Sequence, residues 1–385
     1  MQTEKLYYQD SHLRSFQAQV LACEPSKHGY DVILDRTAFY PEGGGQPGDI
    51  GTLGGVRVHD THERDGAVVH YCDAPLTVGE QVNGEIDWQR RFSLMQLHSG
   101  EHLVSGIIHR RFGYENVGFH MGADMMTIDL SGMLTAEDLR QIEREANEAV
   151  WRDLPTQITW PDAAALQALA YRSKKELTGA VRIVTFPGVD VCACCGTHVA
   201  HTGEIGLIKI FTCQKFHDGV RLEMLCGEKA YSYVCGLVEQ NRQTSVLLSA
   251  KAPQTAESVK KLLDEQAQLK LRCVQLERRV VAARAAGCQG AGDVLLFESG
   301  LSPDALRLLV SEAMAASGGR CAVFTPAAQG YQYFIGDERG GLRELSIRMN
   351  SALHGRGGGK PNFVQGSVQA AEDEIRAFFA QEEAV

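Results

Sequence analysis

Two short segments about a hundred residues apart constrain this chain more than anything else in it. The first, Gln96-Leu97-His98-Ser99-Gly100-Glu101-His102-Leu103, places two imidazoles four positions apart. The second, Cys192-Ala193-Cys194-Cys195-Gly196-Thr197-His198-Val199, places a thiol and an imidazole at the same spacing. Residues i and i+4 share one face of a helix, so His98 and His102 can point at a common centre. Three imidazoles and one thiolate suit tetrahedral Zn²⁺, one ion per chain, better than any hard cation. In the second segment Cys192, Cys194 and Cys195 all lie within reach. Cys194 is preferred, because Gly196-Thr197 then forms a turn that returns both side chains to one ion. A metalloprotease helix is excluded: it needs Glu directly after the first His, and Ser99 stands there.

Composition narrows the setting. A chain of 385 residues makes two to four domains. Eleven cysteines, an odd number and irregularly spaced, argue against a disulfide framework and for a reducing cytoplasm. No charged-then-apolar leader is expected, and no apolar run approaches the ~20 residues of a membrane helix. The formal charge of −10 leaves nucleic-acid binding to local basic pairs: Arg90-Arg91, Arg110-Arg111, Lys174-Lys175 and Lys260-Lys261.

Along the chain the class is α+β, in four expected parts: a small β-barrel over 1–90, a zinc-binding α/β domain over 91–250, a helical arm over 251–286 and an α/β domain over 287–385. Short β-branched runs at Tyr30–Asp35 and Ala67–Tyr71, with a turn at Arg64-Asp65-Gly66, predict the barrel. Within it, Thr37-Ala38-Phe39-Tyr40-Pro41-Glu42-Gly43-Gly44-Gly45-Gln46-Pro47-Gly48-Asp49 strips every Cβ from three consecutive positions, which fits either close approach of another surface or a flexible hairpin. A helix is predicted over 92–112 and an acidic one from Thr135, with strands at Thr127–Leu130, Val181–Phe186, Glu204–Phe211 and Val220–Leu225. From 256 to 285 the apolar period becomes 3.5, with Val259, Gln266, Cys273 and Val280 on one heptad position and Leu262, Leu269, Leu276 and Ala283 on the other. Such a seam implies a partner helix. Near the end, Gly355-Arg356-Gly357-Gly358-Gly359-Lys360-Pro361 departs from a Walker loop, because Pro361 replaces the hydroxyl residue. It reads as a glycine loop able to cradle a phosphodiester beside Arg356 and Lys360, or as a plain flexible loop.

Taken together, the glycine-rich stretch, the His98-x-x-x-His102 helix and the Cys194-x-x-x-His198 turn resemble the editing module of alanyl-tRNA synthetases and its free-standing relatives, the AlaX trans-editing proteins. The tail around Gly357–Pro361 looks like the C-terminal domain shared by those synthetases and DHH-type phosphoesterases, so the resemblance to the long form of AlaX covers nearly the whole chain. It implies hydrolysis of tRNA(Ala) mischarged with serine or glycine, with zinc as cofactor. The absence of a His-x-Gly-His signature, and of a long stretch before the barrel, fits removal of amino acids without attachment. The same resemblance gives Thr37 the role of sensing the serine hydroxyl and His120 a polar pocket position. It gives Gly43, Gly44, Gly45 and Gln46 to substrate binding. Glu101 departs from the pattern of the synthetase module, which has Thr there; it orients water or a ligand, or forms a salt bridge. The tail, with Arg356 and Lys360, is expected to bind the tRNA body, and the arm to pair with its twin in a homodimer. A reading from another class is a non-catalytic RNA-binding protein whose zinc is structural. Release of serine from Ser-tRNA(Ala) separates the two.

Overall fold

A computed structural model describes residues 2–173 and 179–382, so Lys174-Lys175 falls outside the described residues. The chain divides into two compact units, Met1–Asn241 and Arg242–Val385.

The first unit opens with β1 (Glu4–Lys5), β2 (Ser15–Ser26), β3 (Gly29–Leu34), β4 (Arg36–Thr37), β5 (Gly51–Leu53), β6 (Val56–Arg64), β7 (Ala67–Cys72) and β8 (Gln81–Ile86). Six of them form a barrel in the order β2-β3-β7-β6-β5-β8, closed by antiparallel pairing of β2 with β8. Alternation along β8 buries Val82, Gly84 and Ile86 and exposes the residues between. The β6–β7 hairpin turns on Asp65 and Gly66, both at positive φ (51° and 80°), the geometry that matches strand twist in a two-residue turn. β1 pairs in parallel with β4, tying Lys5 to Thr37.

Helix α1 (Trp88–Phe112) follows, started by Asp87, whose side chain accepts from the Arg90 amide, and stopped by Gly113 at positive φ. From Leu94 to Ile108 the helix is buried on every side, which makes it the axis of the unit rather than a surface helix. After it come β9 (Asn116–Met121), β10 (Met126–Leu130), α2 (Ala136–Trp151), β11 (Gln157–Thr159), a short α3 (Ala163–Ala168), β12 (Ile183–Phe186), β13 (Asp190–Ala193), β14 (Ile208–Phe216), β15 (Gly219–Cys226) and α4 (Gly227–Leu247), whose last six residues belong to the second unit. The sheets run β14-β15-β10-β9 and β11-β12-β13. Thr135 and Asp138 form a capping box at the start of α2. The strand expected from Glu204 starts later: Thr202–Ile205 is a 3₁₀ turn, and Gly206 at φ 77° separates it from β14. Arg91 is no surface cation. It is fully buried against Asp49 and also donates to the Ala38 carbonyl, locking the barrel to the first turn of α1.

The second unit holds α5 (Thr255–Ala286), β16 (Gly292–Phe297), α6 (Pro303–Ser317), β17 (Gly318–Pro326), β18 (Tyr331–Gly336), α7 (Leu342–Ala352), β19 (Arg356–Lys360), β20 (Phe363–Val368) and α8 (Glu372–Glu382). Its sheet runs β16-β17-β18-β20-β19. Ser302 caps α6 and Pro303 takes its first position. On α5 the heptad seam is exposed, with Leu262, Leu269 and Leu276 each about half accessible or more (54%, 62% and 48%). The segment Arg356–Lys360 is an edge strand, not a loop. Glycine has no side chain to oppose an extended backbone, and β20 supplies the ladder hydrogen bonds. No described helix is long and apolar enough to cross a membrane.

Candidate metal centre

Helix α1 brings His98 and His102 to one face, and the turn after β13 brings Cys194 and His198 against it. One ligand atom from each of the four lies within 4.8 Å of all the others. The Cys194 Sγ is 3.3 Å from His98 Nε2. The His198 ring sits 4.6 Å from that of His98 and 4.8 Å from that of His102. Of the three cysteines, Cys194 joins the cluster, Cys195 is exposed, and Cys192 is buried, where burial first of all holds its thiol protonated.

Two glycines make the approach possible. A Cβ on Gly196 would land on the His98 ring, and one on Gly106 would strike Asp190 and the Val189 carbonyl. Gly106 stands one turn beyond His102, so its bare surface is what lets Asp190 reach that histidine.

Each helical histidine is held from behind. His98 Nδ1 lies 2.8 Å from Gln46 Oε1, which also accepts from the Thr197 amide at 3.1 Å, while Gln46 Nε2 donates to Thr197 Oγ1 at 2.8 Å. His102 Nδ1 lies 2.8 Å from Asp190 Oδ2, and Arg172 clamps that carboxylate through two hydrogen bonds of 2.7 and 2.8 Å. Acceptors on both Nδ1 atoms direct Nε2 inward, the arrangement that orients metal-ligating imidazoles. His102 Nε2 and both ring nitrogens of His198 are buried with no hydrogen-bond partner among the described residues. Buried polar atoms are normally paired. An ion answers His102 Nε2 and one nitrogen of His198 at once, and the donor set fits one that takes nitrogen and sulfur.

The protons agree. Burial opposes charge on Cys194, but the imidazoles of His98 and His198 overcome it and hold the thiol well below its usual range. Burial likewise opposes an imidazolium at His102, yet hydrogen bonding to Asp190 pushes it up to about 10. Burial pushes His198 down to about 3, leaving it neutral. A thiolate and a neutral imidazole are the forms a metal ion takes.

The glycine-rich stretch is a tight hairpin. Gly43 and Gln46 exchange both backbone hydrogen bonds at 3.0 Å, and Gly44 and Gly45 turn between them at φ 60° and 85°. Gly45 accepts from the Met121 amide, and a Cβ there would hit Phe119, whose ring lies 5.3 Å from His98. Gln46, expected to touch substrate, instead vanishes behind His98 and is fully buried. A groove of about 550 Å³ opens beside the hairpin, lined by Pro47, Arg90, Met121, Ala123 and Lys229; no member of the histidine–cysteine cluster lines it.

Thr37 is buried in the barrel, its Oγ1 2.8 Å from His70 Nε2 and accepting from the Phe39 amide at 3.1 Å. His70 Nδ1 faces the Val32 carbonyl at 3.0 Å, so that nitrogen carries the hydrogen and Thr37 donates to Nε2. Glu101 is turned about 100° round the helix from His102. It accepts from Ser105 at 2.7 Å and from Asn116 at 2.5 Å, as a buried carboxylate that ties α1 to β9. His120 is exposed on β9, next to Phe119. In the second unit, Arg356 lines a groove of about 530 Å³ with Arg307, Phe334 and Gln365, and Lys360 ends the exposed edge strand. Asp190, Arg172, Thr197 and His70 gave no signal by spacing. The faint mark of Asp190 is a charge inside the apolar run Val189–Val191.

Comparison with known proteins follows the same order along the chain. A family model described as tRNA synthetases class II (A) matches residues 2–90, and one described as Threonyl and Alanyl tRNA synthetase second additional domain matches 181–222. The alanyl-tRNA editing protein AlaX-L of Pyrococcus horikoshii is 29% identical over 97% of this chain and 96% of its own length. The chain resembles the long-form alanyl-tRNA editing proteins from end to end. Mouse alanyl-tRNA editing protein Aarsd1 is 27% identical, over 94% of this chain and 93% of its own. An alanine–tRNA ligase of Halobacterium salinarum is 34% identical over 87% of this chain, but the match spans only 38% of that ligase.

Proposed function

We propose that this protein hydrolyses the ester of tRNA(Ala) mischarged with serine, and with glycine as a second substrate, without attaching amino acids itself. One zinc ion per chain is held by His98, His102, Cys194 and His198. The observation that carries this reading is the set of buried, unpartnered imidazole nitrogens beside a thiol whose acidity the neighbouring imidazoles raise.

A zinc ion at this place supplies Lewis-acid polarisation of an ester carbonyl or a water. The chain's own residues do the rest. Gln46 and Asp190 fix which nitrogen of each helical histidine faces inward, and Arg172 keeps Asp190 from turning away. The rings of Phe119 and Phe186 cover the cluster and keep bulk water from it. Gly43, Gly44 and Gly45 present bare backbone at the hairpin tip, where the terminal ribose passes. Thr37 reads the serine side chain: its hydrogen is given to His70, so it receives the serine hydroxyl rather than donating to it. Sites that hydrogen-bond a substrate hydroxyl reject the analogue lacking it. Glu101 holds α1 in register, and His120 stands at the open edge of β9. The second unit, through Arg356 and Lys360, binds the tRNA body; the exposed seam of α5 pairs with a second copy. The setting is the cytoplasm, where mischarged tRNA arises.

The test is direct. Zinc-loaded protein should release serine from Ser-tRNA(Ala) and spare Ala-tRNA(Ala). Four protein ligands around one buried centre also suit a purely structural ion. Protein that binds tRNA(Ala) and zinc but cleaves neither ester would establish that second reading.

A further inference from the structure

The turn that carries Cys194 and His198 leaves its sheet after one residue. The Cys194 amide donates to the Arg182 carbonyl at 3.1 Å, one step beyond the β12–β13 ladder. From there the backbone curls round the thiol, with the Gly196 amide 3.4 Å from Cys194 Sγ. Its remaining polar groups are met by side chains from separate segments of the chain. The Thr197 amide donates to Gln46 at 3.1 Å, and the Val199 amide to Ser99 Oγ at 3.1 Å. The His198 carbonyl accepts from Ser11 Oγ at 2.9 Å. The carbonyls of Cys194 and Gly196 both accept from Nη1 of Arg182, at 2.8 and 3.0 Å.

Arg182 therefore grips the turn through its own backbone and through its side chain. The residue is only 2% exposed, and its Nε has no hydrogen-bond partner among the described residues. The ring of Tyr8 lies over the guanidinium, with its centroid 5.2 Å from the central carbon. Burying a charge is costly, and a neutral side chain of similar size would fill the same space. What the guanidinium adds is a rigid pair of N–H donors on one nitrogen. That pair joins the carbonyl of a ligand residue to the carbonyl of Gly196, the position where a Cβ would land on the His98 ring.

We infer that Arg182 is a positioning residue of the metal centre: by holding the Cys194 and Gly196 carbonyls it sets where the Cys194 thiol stands against His98. This rests on the proposed zinc placement and not on the ester chemistry. Gln46 and Asp190 orient the two histidines of α1. Arg182 does the same for the turn, from the main-chain side. Groups that orient ligands without touching the metal commonly change its affinity about 10–100-fold.

The experiment uses the full chain. Arg182→Met keeps an unbranched stem but has no donor. It should weaken zinc binding about 10–100-fold in competition with a chelator. Arg182→Lys, which keeps a donor for one carbonyl, should recover part of that loss. Cobalt substitution gives a second readout. The thiolate-to-cobalt absorption of Arg182→Met should be weaker and shifted, because the sulfur has left its place; a residue that only stabilises the fold would leave that spectrum unchanged. Wild-type zinc affinity with an unaltered cobalt spectrum in Arg182→Met overturns the assignment. If Arg182→Met does not fold, the same two measurements on Arg182→Lys decide, and wild-type values there overturn it. Wild-type protein that takes up neither metal overturns the zinc placement and this assignment with it. Normal uptake followed by indifferent variants overturns this assignment alone.

Discussion

The hairpin tip at 43–46 and the edge strand at 356–360 are both runs of consecutive glycine, yet they do opposite things with the same freedom. In the first, positive φ at Gly44 and Gly45 folds the chain back within two residues and delivers Gln46 into the space behind His98. In the second, the backbone stays extended against β20, and Arg356 and Lys360 remain at the surface. One glycine run sets a buried residue to within hydrogen-bond distance; the other exposes an edge of backbone between two cations. Glycine therefore permits close approach, and the neighbouring side chain decides whether the approach ends in a core or in solvent.

The sharpest way to break this contrast is at the buried end. Cys194→Ala should abolish stoichiometric zinc in metal analysis of the purified protein, while Cys195→Ala keeps it. Retention by the first and loss by the second would move the ligand one residue along the turn. Next, Gln46→Ala should weaken zinc binding about 10–100-fold in a competition titration with a chelator, because His98 loses the partner that orients it. Equal affinity would return Gln46 to direct substrate contact.

Stability should depend on pH through the barrel. Burial pushes His70 down to about 4, against an ordinary 6.5. Above pH 6.5 the residue is neutral folded or unfolded, and it affects nothing. Between 6.5 and 4 the unfolded chain binds a proton that the folded chain refuses, so stability falls with pH by up to about 3 kcal/mol. His70→Gln should flatten that part of the denaturation profile; an unaltered slope would assign it elsewhere. Thr37→Val should slow serine release by about tenfold or less, since one uncharged hydrogen bond contributes about 0.5–1.5 kcal/mol. A normal rate would take the serine sensor away from the barrel. The smallest effect is expected at the exposed run. Arg356→Ala or Lys360→Ala should reduce the salt slope of full-length tRNA binding by about one each, without changing hydrolysis of a short acceptor-stem mimic.

What the sequence made legible is what repeats at helical or turn spacing. His98 and His102 could be paired by arithmetic, and Cys194 with His198 by the turn between them. The Asp65-Gly66 turn and the acidic helix starting at Thr135 were legible for the same reason, since each is a local signal. Gln46, Asp190 and Arg172 were not, because their roles exist only once Gly196 and Gly106 have let distant segments touch. Glu101 was legible only as the neighbour of His102 in sequence: one step along a helix turns a side chain through about 100°, and the partners it finds include Ser105 and Asn116. Arg91 read as half of a surface pair and is a buried counter-ion to Asp49.

The grip of Gln46 on His98 and Thr197 reaches across 52 and 151 positions of chain. An ion held by the cluster would close the long loop between His98 and Cys194 as well, a span of 96 positions. Such a clasp acts on the unfolded ensemble, whose loops it would have to shorten, more than on any single contact of the native one. Stripping zinc with a chelator should therefore lower the melting temperature of the barrel strands together with that of α1, as one cooperative event.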